Sequence, residues 1–440
     1  MVRRISRRES LGWMSAAALS PFLSGCVSRV PVLSSWQQYR TSPEPKRVAA
    51  ICTIWQKGLH AEVLAGKILE GWDSLGGPGP NLKLTSMYID QIGPHDSGID
   101  AAKKHGVQVF DTIEGAISVG GQGMPIDGVL LIGEHGEYPA NEKGQDLYPR
   151  RRFMEEITDA FVKYGKVVPI YNDKHLGPEW LDALWMYNRA KELNIPFMAG
   201  SSLPLAYRVP DLTLPLGCEV EAVVCVGYSE LDRYGIHALE FLQTLLERRR
   251  NAEKGVRRVQ AWGLENAWAP LKRGDVDEEL LDVALQASSE RPPAEAREND
   301  NEWVGTMWYE YNDGLKVSIF MQHGHARRTA VAVRLKGESQ PRVTTGLEMF
   351  QPARVPHFAY LLHAVERMFH TGVPTYPVER TLLTTGILDR ALTSIYEGER
   401  EVITPELTIA YEPVDYPHAP NPLIETIGDL SYREGVIAGS

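Results

Sequence analysis

The chain has 440 residues, of which 43% are hydrophobic and 23% charged, a composition typical of a globular protein with more than one domain. Its formal net charge of −11 argues against nucleic acid as the main partner. No apolar run after the N-terminal segment is long enough to span a bilayer.

Residues 1–26 are predicted to be an export signal. The stretch SRRESL resembles the twin-arginine pattern, which carries folded proteins across a membrane, and LSGC resembles a lipobox in which Cys26 would be acylated. Alternatively, Cys26 stands among small residues by chance. We predict a lipid-anchored protein of the bacterial cell envelope, on the periplasmic side, with a tether over residues 27–46.

The three cysteines after the signal are predicted to be packing residues without a disulfide. Cys218 and Cys225 are seven positions apart in a strand-like run, which places them on opposite faces. Cys52 lies in an apolar run, and no CxxC spacing typical of a metal site occurs. A chain that folds in the reducing cytoplasm before export fits this pattern.

From residue 47 to about residue 205, short apolar strands alternate with helical patterns. The strands are RVAAICTI, LKLTSMYID, VQVF, IDGVLLIG, KVVPIY and IPFMAG, and Gly106 is a predicted C-cap of the helix after the second strand. This alternation predicts βαβ units and a Rossmann-type parallel sheet covered on both faces, an α/β domain over residues 47–205.

Residues 206–411 change in character. Alternating runs flank the turn sequence NDG at 312–314, which predicts a hairpin, and two more strands and two helices follow. Grouped strands and helices predict an α+β domain with an open, largely antiparallel sheet. The proline-containing segment 412–440 is predicted to be a C-terminal tail.

Polar residues follow several predicted strands of the first domain. Asn172, Asp173, Lys174 and His175 come directly after KVVPIY, and the segment GEHGEYP follows the fourth strand. In an open α/β sheet, ligands bind beyond the carboxyl ends of the strands. These residues are therefore expected to converge on one cleft.

The order and spacing of these segments resemble the Gfo/Idh/MocA family of sugar oxidoreductases over roughly residues 47–411. QKGLHAEVL resembles the segment that opens the family's first helix, MYID its second strand and NDKHLG its lysine motif, and YGIHALEFL resembles the segment with the catalytic histidine. The resemblance implies a homo-oligomeric NAD(P)-dependent enzyme, with NAD or NADP tightly bound, that acts on a small-molecule carbohydrate, a sugar or cyclitol.

The resemblance also implies roles for individual residues. Lys174, with Asp173 and His237, would be catalytic; the cofactor would contact Thr53, Gly58, His60, Asp90, Glu134 and His135. A partly desolvated lysine and a nearby histidine could exchange the proton of a substrate hydroxyl. In the alternative interpretation, Lys174 pairs with Asp173 or another acid and simply ends the strand.

The sequence departs from the family where the cofactor would bind. The glycine-rich first loop keeps only Gly58, with Thr53, Trp55, Gln56 and Lys57 where space is needed. This leaves open a non-redox carbohydrate-binding or accessory envelope protein that keeps the fold.

A third alternative is a metal-dependent lyase or isomerase. Its ligands would come from two segments whose spacing matches no specific metal motif: Glu134, His135 and Glu137, with Asp173 and His175. Nearby, the three arginines in YPRRRF could contact phosphate, but arginines that open a helix are expected to form a solvated face.

Overall fold

The computed structural model describes residues 44–289, 291–348, 355 and 357–420. Its first sheet has six strands in the order β3-β2-β1-β4-β5-β6, all paired in parallel. These strands are β1 (Lys46–Cys52), β2 (Leu82–Ile89), β3 (Gln108–Phe110), β4 (Gly128–Ile132), β5 (Ile170–Asp173) and β6 (Phe197–Gly200). The strands β4, β5 and β6 are buried along their whole length, because helices cover both faces of a parallel sheet.

The helices between these strands follow the predicted alternation. They are α1 (His60–Leu64), α2 (Gly66–Glu70), α3 (Gly98–His105), α4 (Ile113–Ser118), α5 (Arg150–Tyr164) and α6 (Trp180–Glu192). The predicted C-cap at Gly106 is confirmed, since its φ of 69° is left-handed and its N–H bonds to the carbonyl of Ala102. The helical segment after β1 consists of two short helices, α1 and α2, that meet at Ala65.

The second sheet has eight strands in the order β14-β9-β10-β11-β8-β12-β13-β7. These are β7 (Tyr207–Val209), β8 (Val220–Gly227), β9 (Val256–Trp262), β10 (Gly305–Tyr311), β11 (Lys316–Met321), β12 (Ala330–Leu335), β13 (Arg342–Leu347) and β14 (Val402–Ile403). The pair β8–β11 is parallel and the other pairs are antiparallel. The predicted hairpin at 312–314 joins β10 to β11, where Gly314 has a φ of 91°.

Helices of the second half pack the two sheets onto one core. They are α7 (Leu231–Leu246), α8 (Ala269–Lys272), α9 (Glu278–Ser288), α10 (Pro293–Ala296), α11 (His357–Thr371) and α12 (Glu379–Tyr396). Helix α12 packs against α6, α7 and β9, so it contacts elements from both halves of the chain. A continuous hydrophobic core therefore joins strands of both sheets, and the predicted fold class is confirmed.

The cysteines within the described residues are free, as predicted. Cys52 and Cys225 are buried, and burial raises the pKa of both thiols, whereas Cys218 is half-buried rather than fully packed. Within the described segments, no helix is both long and apolar enough to cross a membrane. The predicted export signal and Cys26 lie outside the described residues, as do most of the tether and the end of the tail.

Candidate functional site

The carboxyl ends of the parallel strands meet at one edge of the first sheet, as predicted. Strand β1 pairs with both β2 and β4, and β4 pairs with β5. Thr53, Asp90, Glu134 and Asp173 therefore lie at this edge, with Lys174 one residue beyond β5. The edge divides into two halves, the ends of β4 and β5 and the ends of β1 and β2, and the two halves differ in chemistry.

A buried group of three charges stands at the ends of β4 and β5. The Lys174 ammonium lies 2.8 Å from Glu134 Oε1, and the Arg150 guanidinium binds the other carboxylate oxygen. The three side chains are 4%, 1% and 0% exposed. Burial alone would raise the pKa of Glu134, but Lys174 and Arg150 outweigh it and hold that pKa well below its usual range. Two cations around one carboxylate leave a net positive charge.

The partner of Lys174 is therefore Glu134, a carboxylate forty positions away in sequence, and not the adjacent Asp173. Arg150 corrects the prediction of a solvated arginine face, because it is fully buried at the start of α5. Its neighbours Arg151 and Arg152 are exposed enough to match that prediction. A charged side chain is buried at this depth only when an opposite charge compensates it, and Glu134 does so.

Asp173 instead holds His60, the first residue of α1. His60 Nδ1 lies 2.6 Å from Asp173 Oδ2, and the two side chains are 15% and 1% exposed. A carboxylate accepts hydrogen bonds, so Nδ1 carries a hydrogen, and in the neutral ring Nε2 keeps its lone pair. Asp173 Oδ1 and the neighbouring Asn172 Oδ1 are buried and accept no hydrogen bond from any described residue. These two oxygens could each accept a hydrogen bond from a ligand or from water.

Two further histidines adjoin this pair. The His135 ring lies 5.6 Å from the His60 ring, and burial, which the charge of Glu134 offsets only in part, lowers the pKa of His135 to about 3. His237, on α7, is buried, and its Nδ1 lies 2.5 Å from Ser201 Oγ. Burial first, and then the charge of Lys174, hold the pKa of His237 well below its usual range. Both rings are therefore neutral at neutral pH.

Tyr234 connects Lys174 to His237. Its ring centroid lies 5.7 Å from Lys174 Nζ and 5.8 Å from the centroid of the His237 ring. Helix α7 thus faces the end of β5, as the expected acid–base partnership of these residues requires. Lys174 and His237 border the same region. Lys174 contacts Glu134, and His237 contacts Ser201.

The other half of the edge, at the ends of β1 and β2, is filled by the chain itself. Asp90 Oδ1 accepts hydrogen bonds from the Tyr88 hydroxyl at 2.5 Å and from Arg152 at 2.6 Å, and Oδ2 accepts one from Tyr138 at 2.7 Å. The next residue, Gln91, exchanges two hydrogen bonds with the backbone of Glu137. The loop after β4 thereby lies across the ends of β1 and β2.

The first loop is occupied as well. The Gly58 N–H donates to the Glu62 carboxylate at 3.0 Å, where a cofactor phosphate would otherwise accept. Thr53 is buried, and its hydroxyl donates to the carbonyl of Glu134 at 2.5 Å. In this arrangement the residues at the ends of β1 and β2 do not fit the ribose and pyrophosphate of a dinucleotide. The residues at the ends of β4 and β5 can exchange hydrogen bonds and protons with a hydroxyl group placed beside them.

The described residues give no support to the metal alternative. No group of three or more His, Cys, Asp or Glu side chains in this part of the chain is arranged to hold a metal ion. Both carboxylate oxygens of Glu134 already bind cations, those of Lys174 and Arg150. His175 Nε2 lies 3.3 Å from the Arg150 guanidinium. A ligand nitrogen directed at a guanidinium would have to turn away to bind a metal.

Solved structures share the two-sheet architecture of this chain. GenD2 from gentamicin A biosynthesis, crystallised in complex with NAD, is 15% identical to this chain, with a TM-score of 0.52 over 82% of this chain and 96% of GenD2. The apo scyllo-inositol dehydrogenase from Lactobacillus casei is 12% identical, with a TM-score of 0.50 over 82% and 98% of the two chains.

At identities this low, the likeness concerns the fold. The chain has the fold of these Gfo/Idh/MocA-type dehydrogenases, as the resemblance predicts. Neither the models of protein families nor the curated proteins include a match to this chain.

Several residues of the site were missed by sequence reasoning. Arg150, Tyr138 and Tyr234 complete the charged group, the Asp90 contacts and the link to His237. Arg150 had one usable signal, since it opens a helix directly after the polar loop of a buried strand. The partners of Tyr138 and Tyr234 are 48 and 60 positions away, so no local pattern reveals them.

Proposed function

We propose that the protein is an oxidoreductase of the Gfo/Idh/MocA type that acts on a hydroxyl group of a sugar or cyclitol and takes NAD or NADP. The observation that carries the proposal is the position of Lys174, paired with Glu134 beside the His60–Asp173 pair, at the carboxyl edge of the parallel sheet. The likeness in fold to GenD2 and to scyllo-inositol dehydrogenase supports the same class of reaction.

The chain's own part in the reaction is proton transfer. His60 Nε2 has a free lone pair in the tautomer that Asp173 selects, so it can accept the proton of a substrate hydroxyl, and Asp173 then stabilises the imidazolium. Lys174 and Arg150 supply a net positive charge that stabilises the developing alkoxide. His237, neutral and held by Ser201, can exchange a hydrogen bond with the substrate on the side of the second sheet.

A bound nicotinamide cofactor would supply the hydride acceptor. Its ribose and pyrophosphate would have to displace Arg152 and Tyr138 from Asp90 and Glu62 from the Gly58 N–H. This requirement favours a second candidate, a non-redox carbohydrate protein that keeps the acid–base residues. Both candidates share the substrate class and differ in the cofactor.

One experiment separates the two candidates. The purified full chain is denatured, and the released small molecules are identified by mass spectrometry, while a separate native sample is titrated with NAD, NADH, NADP and NADPH. A released or titratable nicotinamide cofactor, with oxidation of a sugar or cyclitol that Lys174→Met abolishes, is the result expected for the oxidoreductase. Absence of the cofactor in both samples would reject it in favour of the non-redox protein.

We further propose, from the sequence alone, an envelope location with a lipid anchor at Cys26. Cys26→Ala should release the mature protein from membranes into the periplasmic fraction. Wild-type protein found wholly in the cytoplasm would reject this location.

A further inference from the structure

Ser201 is a buried residue to which the proton transfer assigns no role of its own. It directly follows β6 and is 1% exposed. Two hydrogen bonds connect its side chain to other described residues. The Leu203 N–H donates to Ser201 Oγ at 3.0 Å, and the same oxygen lies 2.5 Å from His237 Nδ1. Ser201 therefore joins the end of the first sheet to α7, the helix that carries His237.

The direction of the bond between Ser201 and His237 follows from the number of hydrogens available. A serine hydroxyl has one hydrogen to donate and two lone pairs that accept. One lone pair already accepts from the Leu203 N–H. If His237 Nδ1 donated to the other, the hydroxyl hydrogen would be buried without an acceptor among the described residues, which is costly. The Ser201 hydroxyl therefore donates, and His237 Nδ1 accepts.

His237 then carries its hydrogen on the other ring nitrogen. The ring is neutral at neutral pH, because burial holds its pKa well below the usual range. A neutral imidazole whose Nδ1 accepts a hydrogen bond has its hydrogen on Nε2. Nε2 makes no hydrogen bond with any described residue, and the residue is 8% exposed. The group that His237 can offer to a ligand is thus a donor.

His60 is set in the opposite way. Its Nδ1 donates to the Asp173 carboxylate, so Nε2 of the neutral His60 ring is an acceptor. After burial and the charge of Lys174, the charge of His60 also contributes to the low pKa of His237, so the two rings belong to one site. Each histidine is held through Nδ1, but a carboxylate partner and a hydroxyl partner give the two rings opposite tautomers.

Glu240 fixes the backbone that carries the Ser201 hydroxyl. It lies one turn after His237 on α7, and its Oε2 accepts from the Ser201 N–H at 2.6 Å. Gly200 makes this approach possible, since a Cβ at that position would collide with Oε2. Burial raises the pKa of Glu240 to about 7, and Oε2 can accept from the amide in either protonation state. Helix α7 therefore binds Ser201 twice, through its backbone and through its side chain.

We propose that Ser201 is a positioning residue that fixes His237 as the tautomer with hydrogen on Nε2, so that His237 donates a hydrogen bond to the substrate. The inference rests on the proposed carbohydrate substrate and adds a requirement to it. The substrate atom that faces His237 must be an acceptor, such as a hydroxyl or carbonyl oxygen. An ammonium group at that position is excluded, because it could only donate.

The tautomers are measured by NMR of the full chain labelled with ¹⁵N in its histidines, since a ring nitrogen with a hydrogen and one with a lone pair differ widely in chemical shift. His237→Gln and His60→Gln identify the two rings. We expect hydrogen on Nε2 of His237 and on Nδ1 of His60. In Ser201→Ala, the Nδ1 resonance of His237 should move, because its donor is lost. The matched control is Ser202→Ala, which removes the hydroxyl of the neighbouring buried serine and should leave that resonance in place.

A kinetic comparison uses the sugar or cyclitol that the wild type oxidises. Ser201→Ala should lower kcat/KM at least about tenfold, whereas Ser202→Ala should leave it nearly unchanged. Hydrogen on Nδ1 of His237 in the wild type, an Nδ1 resonance that stays in place in Ser201→Ala, or an unchanged kcat/KM in that variant would each overturn the inference. Failure of the proposed function has a different signature. No nicotinamide cofactor would bind and no sugar would be oxidised, while the tautomers, which need no ligand, would be as expected.

Discussion

The two halves of the sheet edge both contain an aspartate, but only one of these aspartates has a carboxylate oxygen without a hydrogen-bond partner among the described residues. At the ends of β4 and β5, the Glu134 carboxylate is buried between two cations, and the acceptor oxygen Asp173 Oδ1 has no partner among the described residues. At the ends of β1 and β2, both oxygens of Asp90 are bonded to other side chains of the chain. An acceptor that is already satisfied gains little from a ligand, whereas an unsatisfied one gains a hydrogen bond. The first half therefore has an acceptor that a ligand could satisfy, whereas the acceptors of Asp90 in the second half are already satisfied.

The comparison is tested most strongly by Asp173→Asn. An asparagine of the same shape can donate to His60 Nδ1, which favours the wrong tautomer and removes the charge that stabilises the imidazolium. We expect turnover of the sugar or cyclitol substrate to fall about 10²- to 10⁴-fold with little change in substrate affinity. Steady-state kinetics give both quantities. The matched control is Asp90→Asn in the other half, and an equal loss there would contradict the division.

Removal of the shared carboxylate is expected to have the largest effect on stability. Glu134→Ala leaves Lys174 and Arg150 buried without their partner, which typically costs about 3–5 kcal/mol in the free energy of unfolding. Chemical denaturation followed by circular dichroism measures this difference. Glu114→Ala removes a carboxylate that pairs with Lys163 at the surface and should leave the midpoint almost unchanged. A loss of similar size in both variants would refute the role of burial.

His135 should make the free energy of unfolding depend on pH. The pKa of His135 is about 3 in the folded chain, against about 6.5 for a histidine in an unfolded chain, so between these pH values the unfolded chain binds a proton that the folded chain does not. Stability therefore falls as the pH falls through this window. His135→Asn should reduce the slope by up to about 1.4 kcal/mol per pH unit, and unfolding curves at a series of pH values measure it. An unchanged slope would mean that His135 is protonated in the fold.

The smallest effect is expected in the second half, at the ends of β1 and β2. Arg152 is 44% exposed and pairs with Asp90 and Glu156, so Arg152→Ala should cost at most about 1 kcal/mol of unfolding free energy. The same denaturation assay applies. If the variant also binds NAD or NADP more tightly than the wild type does, Arg152 competes with the cofactor for Asp90. An unchanged affinity would mean that this ion pair does not limit cofactor binding.

Much of the fold follows from local patterns in the sequence. Buried runs such as Gly128–Ile132 and the turn with Gly314 carry their own signals of length, apolarity and left-handed backbone. The positions of the site residues could be predicted as far as the ends of the strands could be predicted. Asp173 and Lys174 follow an apolar run, and topology alone brings Glu134 to the same edge.

The pairing within the edge was not predictable in the same way. Nothing local distinguishes Arg150 from Arg151, yet Arg150 is fully buried and the Arg151 side chain is 43% exposed. Which arginine turns inward depends on the register of α5 against the sheet. That register is set by packing of residues such as Phe153 and Ile157, which the sequence pattern fixes only approximately.

The backbone at Lys174 restricts how this edge could have evolved. Its φ of 61° is left-handed, a conformation that costs a non-glycine residue about 1–2 kcal/mol. A strand sends consecutive side chains to opposite faces, and this turn interrupts the alternation directly after Asp173. Two neighbouring residues can therefore bind His60 and Glu134 at a single edge. Glycine at position 174 would relieve the backbone but remove the ammonium that pairs with Glu134, so a single substitution that relaxes the turn also breaks the buried charged group.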